Sequence, residues 1–283
     1  MTKIHQFKQN RFINVKGNLY DLNSPKIMGI INCTPDSIYS ESRKTHIDEI
    51  LKTVESMLEN GVDIIDIGGA STRPNALIPS IGEEITRIHE PIKAIRKEFK
   101  ELVISLDTMR SDVAKFGIDE GISIINDVSG GSFDKELIEL VAQKKVPYIL
   151  TFNSGNEINT IPLGSNRNIL MDSIKFFSER IQKLKNSGIN DIIIDPGFGF
   201  DKTLEENFSL LNNFELLQIL EKPILVGISR KSMIYKKLGI VPDESLNGTT
   251  ILNTITFLKN ASIFRVHDVK EMNEIRKLLK ASI

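Results

Sequence analysis

Side chains able to do chemistry recur in this sequence at one kind of place, the last residues of a short apolar run. Asn32 closes KIMGIIN, Asp66 lies near the end of VDIIDIG, and Asp107 and Asn126 stand at or near the ends of LVISLD and ISIIND. Asp195 follows DIII, Ser229 and Lys231 follow PILVG, and Arg265 and His267 lie at the end of ASIFRVH. Asp, Asn and Ser cap helix N-termini for local reasons, so most of these residues have an ordinary explanation when taken alone. For Asp107, which precedes TMRSDVAKF, that explanation is as good as a binding role. For the whole set it fails, because Lys231 and Arg265 have no acceptor atom and His267 is not a usual cap.

Two kinds of ligand chemistry follow. Asp107, Asn126 and Asp195 with Lys231 offer acceptors and donors to a flat polar heterocycle. Buried carboxylates are costly unless a partner supplies N–H donors, so a ring with amide and amino groups, such as a pterin or a guanine-like base, fits. Arg265 and His267 are two residues apart on one strand and face the same way. With a helix-start amide near Asn32 they make a site for phosphate or pyrophosphate. In GISRKS, residues 227–232, cations stand where a helix dipole prefers acids. Lys231 is tolerated there if it leans into the pocket toward an acceptor, and Ser232 with the helix amides can receive a carboxylate. Arg230 reads as a solvated side chain.

The elements that must hold these groups are legible. Eight apolar, β-branched runs (26–32, 62–68, 102–107, 122–127, 146–151, 191–197, 223–229 and 261–267) lack polar alternation, as parallel strands covered on both faces do. Between them lie segments of helical period, such as Ile47, Ile50, Leu51, Val54, Met57 and Leu58, or Ile174, Phe177, Ile181 and Leu184. Alternation of this kind predicts an α/β protein, a single (β/α)8 TIM barrel over residues 26–283, with its site at the carboxyl ends of the strands. An open doubly wound sheet is the alternative, but NCTPDSIYSES after the first strand is no dinucleotide fingerprint. Residues 1–25 read as a short N-terminal extension, with a hairpin around VKGN that would close the barrel floor. The connections 33–45 and 68–82 are long, polar and placed to work over the site.

Composition narrows the rest. The chain has 283 residues, 40% hydrophobic, with 36 basic against 37 acidic side chains. That balance gives no general pull toward nucleic acid or anionic membrane, so an anion must be held by a local cluster. Cys33 is the only cysteine, no disulfide is possible within the chain, and no apolar run is long enough to span a bilayer. The expectation is a cytoplasmic protein with small-molecule partners.

Six blocks, IMGIINCTPDS, DIIDIGGASTRPNA, INDVSGG, IIIDPGFGF, LVGISRKS and FRVHDVKE, stand in the order and spacing of the dihydropteroate synthase family, and the chain resembles that family from about residue 26 to its end. The resemblance implies a homodimeric TIM barrel of folate biosynthesis. It would join 6-hydroxymethyl-7,8-dihydropterin pyrophosphate to p-aminobenzoate and release pyrophosphate, with Mg²⁺. It implies Asp107, Asn126, Asp195 and Lys231 as pterin holders, Asn32 as contact for Mg²⁺ and pyrophosphate, and Arg265 and His267 on the pyrophosphate. Thr72, Arg73 and Pro74 resemble the segment that closes around p-aminobenzoate, and Ser232 the group receiving its carboxylate. Asp36 resembles the acid that helps stabilise a cationic pterin; with Asp107 and Lys231 it makes the expected catalytic set.

The chain also departs from the family pattern. Ile38 to Arg43 replace the usual Phe-Ser-Asp-Gly-Gly, Ala70 a glutamate, Thr151-Phe152-Asn153 a Met-His-Met, and Asp201 a common glycine. ESRK, residues 41–44, resembles the first loop of a sulfonamide-insensitive branch of the family. Two other readings stay open on sequence: a pterin-binding methyltransferase-type barrel, which would not need the anion pair, and a non-catalytic pterin-binding paralogue.

Overall fold

A computed structural model describes residues 11–33, 40–70, 78–153 and 168–281, with residues 40–46 given as backbone alone. The chain opens with a hairpin of β1 (Phe12–Val15) and β2 (Asn18–Asp21), paired antiparallel through a two-residue turn. Lys16 and Gly17 in that turn both have positive φ, the left-handed pair that a tight hairpin turn needs. There follow β3 (Lys26–Asn32), α1 (Ser40–Glu59), β4 (Ile64–Gly68), α2 (Ile81–Glu98), β5 (Val103–Asp107) and α3 (Ser111–Asp119). Next come β6 (Ile124–Asp127), α4 (Lys135–Lys144), β7 (Tyr148–Thr151), α5 (Ile169–Asn186), β8 (Ile192–Asp195) and α6 (Leu204–Asn212). After a 3₁₀ segment (Phe214–Leu220) the chain ends through β9 (Leu225–Val226), α7 (Ser232–Leu238), α8 (Leu246–Leu258), β10 (Ile263–Val266) and α9 (Val269–Lys280).

Strands β3 to β10 form one sheet in the order β8-β7-β6-β5-β4-β3-β10-β9, and the ladders are parallel. A parallel bridge between Ile194 and Ile224 joins its two ends, with the Ile194 N–H donating to Pro223 O at 2.9 Å. The eight expected strands are all present and the sheet is a closed (β/α)8 barrel. The seventh is shorter than the apolar run, two residues where 223–229 was expected.

Period-two alternation builds two cores and the site together. Outward residues such as Ile65, Ile67, Leu106, Ile125, Leu150 and Ile194 pack under the helices, among Ile88, Ile92, Phe177 and Leu210. Inward residues at the strand starts, Met28, Ile64, Ile124, Ile149, Ile193, Leu225 and Ile263, form a second apolar layer with Ile13, Val15 and Leu22 of the hairpin region. That layer is the barrel floor. Two residues further along, the same inward face carries Asp66, Asn126, Thr151, Asp195, Gly227 and Arg265; Ser105 follows Val103 and is followed by Asp107. The chain therefore changes from oil to polar groups at one level of the barrel on most of its strands.

The helices do not need those polar groups as caps. Helix α3 is preceded by Arg110, α4 is capped by Asp134, and α6 has a capping box of Thr203 and Glu206. Asp107, Asn126 and Asp195 are thus free of the local role that competed with binding in the sequence.

Candidate active site

The polar layer is wired by ions. Arg265 on β10 reaches across the barrel. Its Nε donates to Asp66 Oδ2 at 2.6 Å and its Nη2 to Asp107 Oδ2 at 2.7 Å. Asn126 Nδ2 donates to the same Asp66 oxygen at 3.0 Å. Asp66 is fully buried, and its Oδ1 and the Oδ1 of Asn126 have no donor among the described residues. Arg265, expected with His267 on an anion, has its guanidinium on two carboxylates, those of Asp66 and Asp107.

Across the cavity stand Asp195 and Lys231. Gly227 lies against both: a Cβ there would be 3.7 Å from Lys231 Nζ and 4.0 Å from Asp195 Oδ2. Lys231 occupies the N-cap position of α7, but its side chain makes no capping bond. Its side chain leans back over the barrel, Nζ donating to Phe198 O at 2.5 Å and lying 4.5 Å from the centroid of the Phe200 ring. A cation at the wrong end of a helix dipole is accepted because its charge is spent elsewhere. Arg230, expected in solvent, is bound instead: Nε and Nη2 fork onto the Asp268 carboxylate and Nη1 donates to Asp243 O.

His267 follows β10 at the rim. Its backbone N–H donates to Ser229 Oγ at 3.2 Å, and that oxygen lies 3.1 Å from His267 Nδ1. These two contacts to one hydroxyl hold the His267 ring in place at the rim. Asn32 is exposed at the end of β3, and Ser232 is half-buried at the first residue of α7. Asp107, Asn126, Asp195, Lys231, Arg265 and His267 thus share one end of one barrel, as the sequence required. Asp36, Thr72, Arg73 and Pro74 lie outside the described residues, as do the side chains of 41–44.

The sequence profile described as "Pterin binding enzyme" matches residues 28–267, which include every residue of this rim. The dihydropteroate synthase of Clostridium beijerinckii is 40% identical over 255 residues, 89% of this chain and 92% of that protein. That of Escherichia coli K12 is 35% identical over 270 residues, 95% of each. The chain belongs to the dihydropteroate synthase family. Among solved structures, the Xanthomonas albilineans dihydropteroate synthase with 4-aminobenzoic acid superposes with a TM-score of 0.87 at 29% identity, covering 96% of this chain and 98% of that one.

Burial sets the charges of this dihydropteroate synthase family site. Desolvation pushes Asp107 up to about 7, with Asp66, Asp127 and Glu84 adding to the rise and Arg265 opposing it. Asp195 is raised by burial against the pull of Lys231. Lys231 is pushed down to about 8 by burial, with Asp195 and Asp107 resisting and Arg265 assisting. His267 is lowered, first by burial and then by Arg265, which favours the neutral ring.

Several supporting residues were given no role from sequence. Asp66 was visible as a strand-end acid, but nothing in the chain told that it anchors Asn126 and Arg265. Glu84 on α2 accepts from Thr108 Oγ1 at 2.8 Å and Arg110 Nη1 at 3.2 Å. Arg110 also donates to Pro79 O and Arg87 to Gly69 O, so both ends of the second long connection are tied down. Under Asn126, Asp127 accepts from Tyr148 Oη at 2.5 Å and from the amides of Ser129 and Gly131. The departures from the family pattern also have structural places. Phe152 is fully buried against Phe176 and Phe177, and Asp201 adopts a positive φ, the conformation for which glycine is suited.

Proposed function

We propose how this dihydropteroate synthase divides its reaction among the rim residues. Asp107, Asn126 and Asp195 accept from the amino and ring N–H groups of the dihydropterin, and Lys231 donates to its oxygen or ring nitrogen. One observation carries this reading: acceptors and a cation from β5, β6, β8 and α7 meet on the inner face of one barrel end, above an apolar floor. His267, held by Ser229, donates to the diphosphate. Arg265 acts on it through charge, from its place between Asp66 and Asp107.

Mg²⁺ is usually held by one or two protein oxygens together with substrate phosphates. The exposed amide of Asn32 at the rim fits that mode, and Asn32 would hold the ion. Bound there, Mg²⁺ would reduce the charge developing on the departing diphosphate. The bond from the methylene carbon to the diphosphate oxygen breaks, and the pterinylmethyl cation left behind is favoured by the acids Asp36 and Asp107. The aniline nitrogen of p-aminobenzoate then bonds to that carbon and sheds a proton. No strong base is required. Ser232 receives the p-aminobenzoate carboxylate, and Thr72, Arg73 and Pro74 close over that substrate.

The enzyme works as a cytoplasmic homodimer. Leu238, Val241, Ile251 and Leu258 are all at least half exposed on the adjoining α7–α8 region, an apolar face suited to a second copy. The deciding experiment is release of inorganic pyrophosphate from 6-hydroxymethyl-7,8-dihydropterin pyrophosphate with p-aminobenzoate and Mg²⁺. Release should require all three. Release independent of p-aminobenzoate, or none at all, would overturn the reading.

A further inference from the structure

We propose that Lys202 is a positioning residue that sets the place of Lys231, by fastening the loop after β8 to the end of β7. The inference rests on the reading of Lys231 as a pterin holder.

Both local partners of Lys231, the Phe198 carbonyl and the Phe200 ring, belong to the short loop 196–200. That loop is built on two left-handed glycines, Gly197 and Gly199, both with positive φ, and glycine gives the backbone little stiffness of its own. Each is needed for close approach. A Cβ on Gly197 would collide with Phe152 O, and one on Gly199 would lie 3.0 Å from Lys231 Cδ. The loop is thus pressed between β7 and the Lys231 stem and needs an outside support.

Lys202 supplies it. Its Nζ donates to Gly197 O at 2.8 Å and Phe200 O at 3.2 Å, which bracket Phe198, and to Phe152 O at 3.0 Å. It also lies 4.6 Å from the centroid of the Phe152 ring. An ammonium has three N–H donors, and three carbonyls converge on this one. Carbonyl dipoles pointed at one spot repel unless a cation sits among them, so a neutral replacement lets the loop spread. Phe198 O and the Phe200 ring then withdraw from Lys231. Asn207, which holds the Gly199 amide through its Oδ1, remains and keeps the loop folded.

The test compares Lys202→Met with the parent enzyme, using Lys231→Ala as reference. The charged groups that act on Lys231 are Asp195, Asp107 and Arg265, and Lys202 itself acts on Asp195. In Lys202→Met, kcat/KM for the dihydropterin pyrophosphate should fall about 10- to 100-fold, the scale of a misplacement near 1 Å. The basic limb of its pH profile should move from its place in the parent, since Phe198 O and the Phe200 ring, which favour the ammonium, give way to water. Lys202→Gln, one bond shorter than lysine but with two N–H donors, should fold even if the methionine variant does not and should move the limb the same way by less. A folded variant whose basic limb stays in place overturns the proposal, whatever its rate. If Lys231→Ala itself keeps full turnover, the reading of the site has failed; if it is inactive while the Lys202 variants leave the limb unmoved, only the positioning role has.

Discussion

Replacing Arg265 by methionine should cost more stability than any other single change at the rim, and the cost should depend on pH. The guanidinium is the partner of two carboxylates at once, with Asp66 side chain at 0% and Asp107 at 8% exposure. Breaking a buried ion pair from one side leaves an uncompensated charge and typically costs about 3–5 kcal/mol. For a chain of this size that corresponds to a fall in Tm of roughly 6–20 °C. The pH dependence comes from Asp107. Its pKa, near 7, already stands above the unfolded value, so the folded chain holds that proton more tightly and loses stability as pH rises through this range. Arg265 is the influence that lowers it, and without Arg265 it must rise further. At about pH 5.5 Asp107 is protonated with or without Arg265, so only the loss of the Asp66 partner separates variant from parent; at about pH 8 the Asp107 contribution adds to it and the gap should be wider. Urea unfolding followed by far-UV circular dichroism at the two pH values measures it. A loss under about 1 kcal/mol at pH 8, or one equal at both pH values, would refute the reasoning.

Asp107→Ala and Lys231→Ala should each lower kcat by more than about 100-fold while leaving the far-UV spectrum unchanged, since both groups act on substrate rather than on helix caps; steady-state kinetics on folded protein decides. The kcat/KM profile should be a narrow bell, with an acid limb at about 7 from Asp107 and a basic limb at about 8 from Lys231. A flat profile across that range would remove both assignments. Tyr148→Phe takes the hydroxyl donor from buried Asp127 and should destabilise the chain by about 1–3 kcal/mol, read as a lower urea midpoint.

The architecture was legible because its signal is local. Eight apolar runs name eight strands, and VKGN names the hairpin turn, since hydrophobicity and left-handed turn residues act over a few positions. The membership of the rim was legible for the same reason, strand ends being countable. Partnership within it was not. Arg265 and His267 share a strand face, yet one reaches carboxylates two and three strands away and the other turns to Ser229, because side-chain length and the barrel's curvature decide, and neither is visible in spacing. Asp66 shows the same limit: an inward acid can be counted, but its two donors come from residues 60 and 199 positions away. Lys202 had no signal beyond its place after DPGFGFD, since its partners are backbone carbonyls, which every residue has. Short β9 was overestimated because Gly227 and Ile228 continue the apolar run after the pairing has ended.

The barrel's seam is narrow: β9 is only two residues long, and an isolated bridge ties Ile224 to Ile194. Asp195 closes one lip of that seam and Lys231 follows the other. A heterocycle gripped by both would act as a suture drawn through the cylinder where its wall is thinnest. Occupancy should then slow amide exchange along β8 and β9 more than on the opposite wall, so that the catalyst is mended by what it consumes.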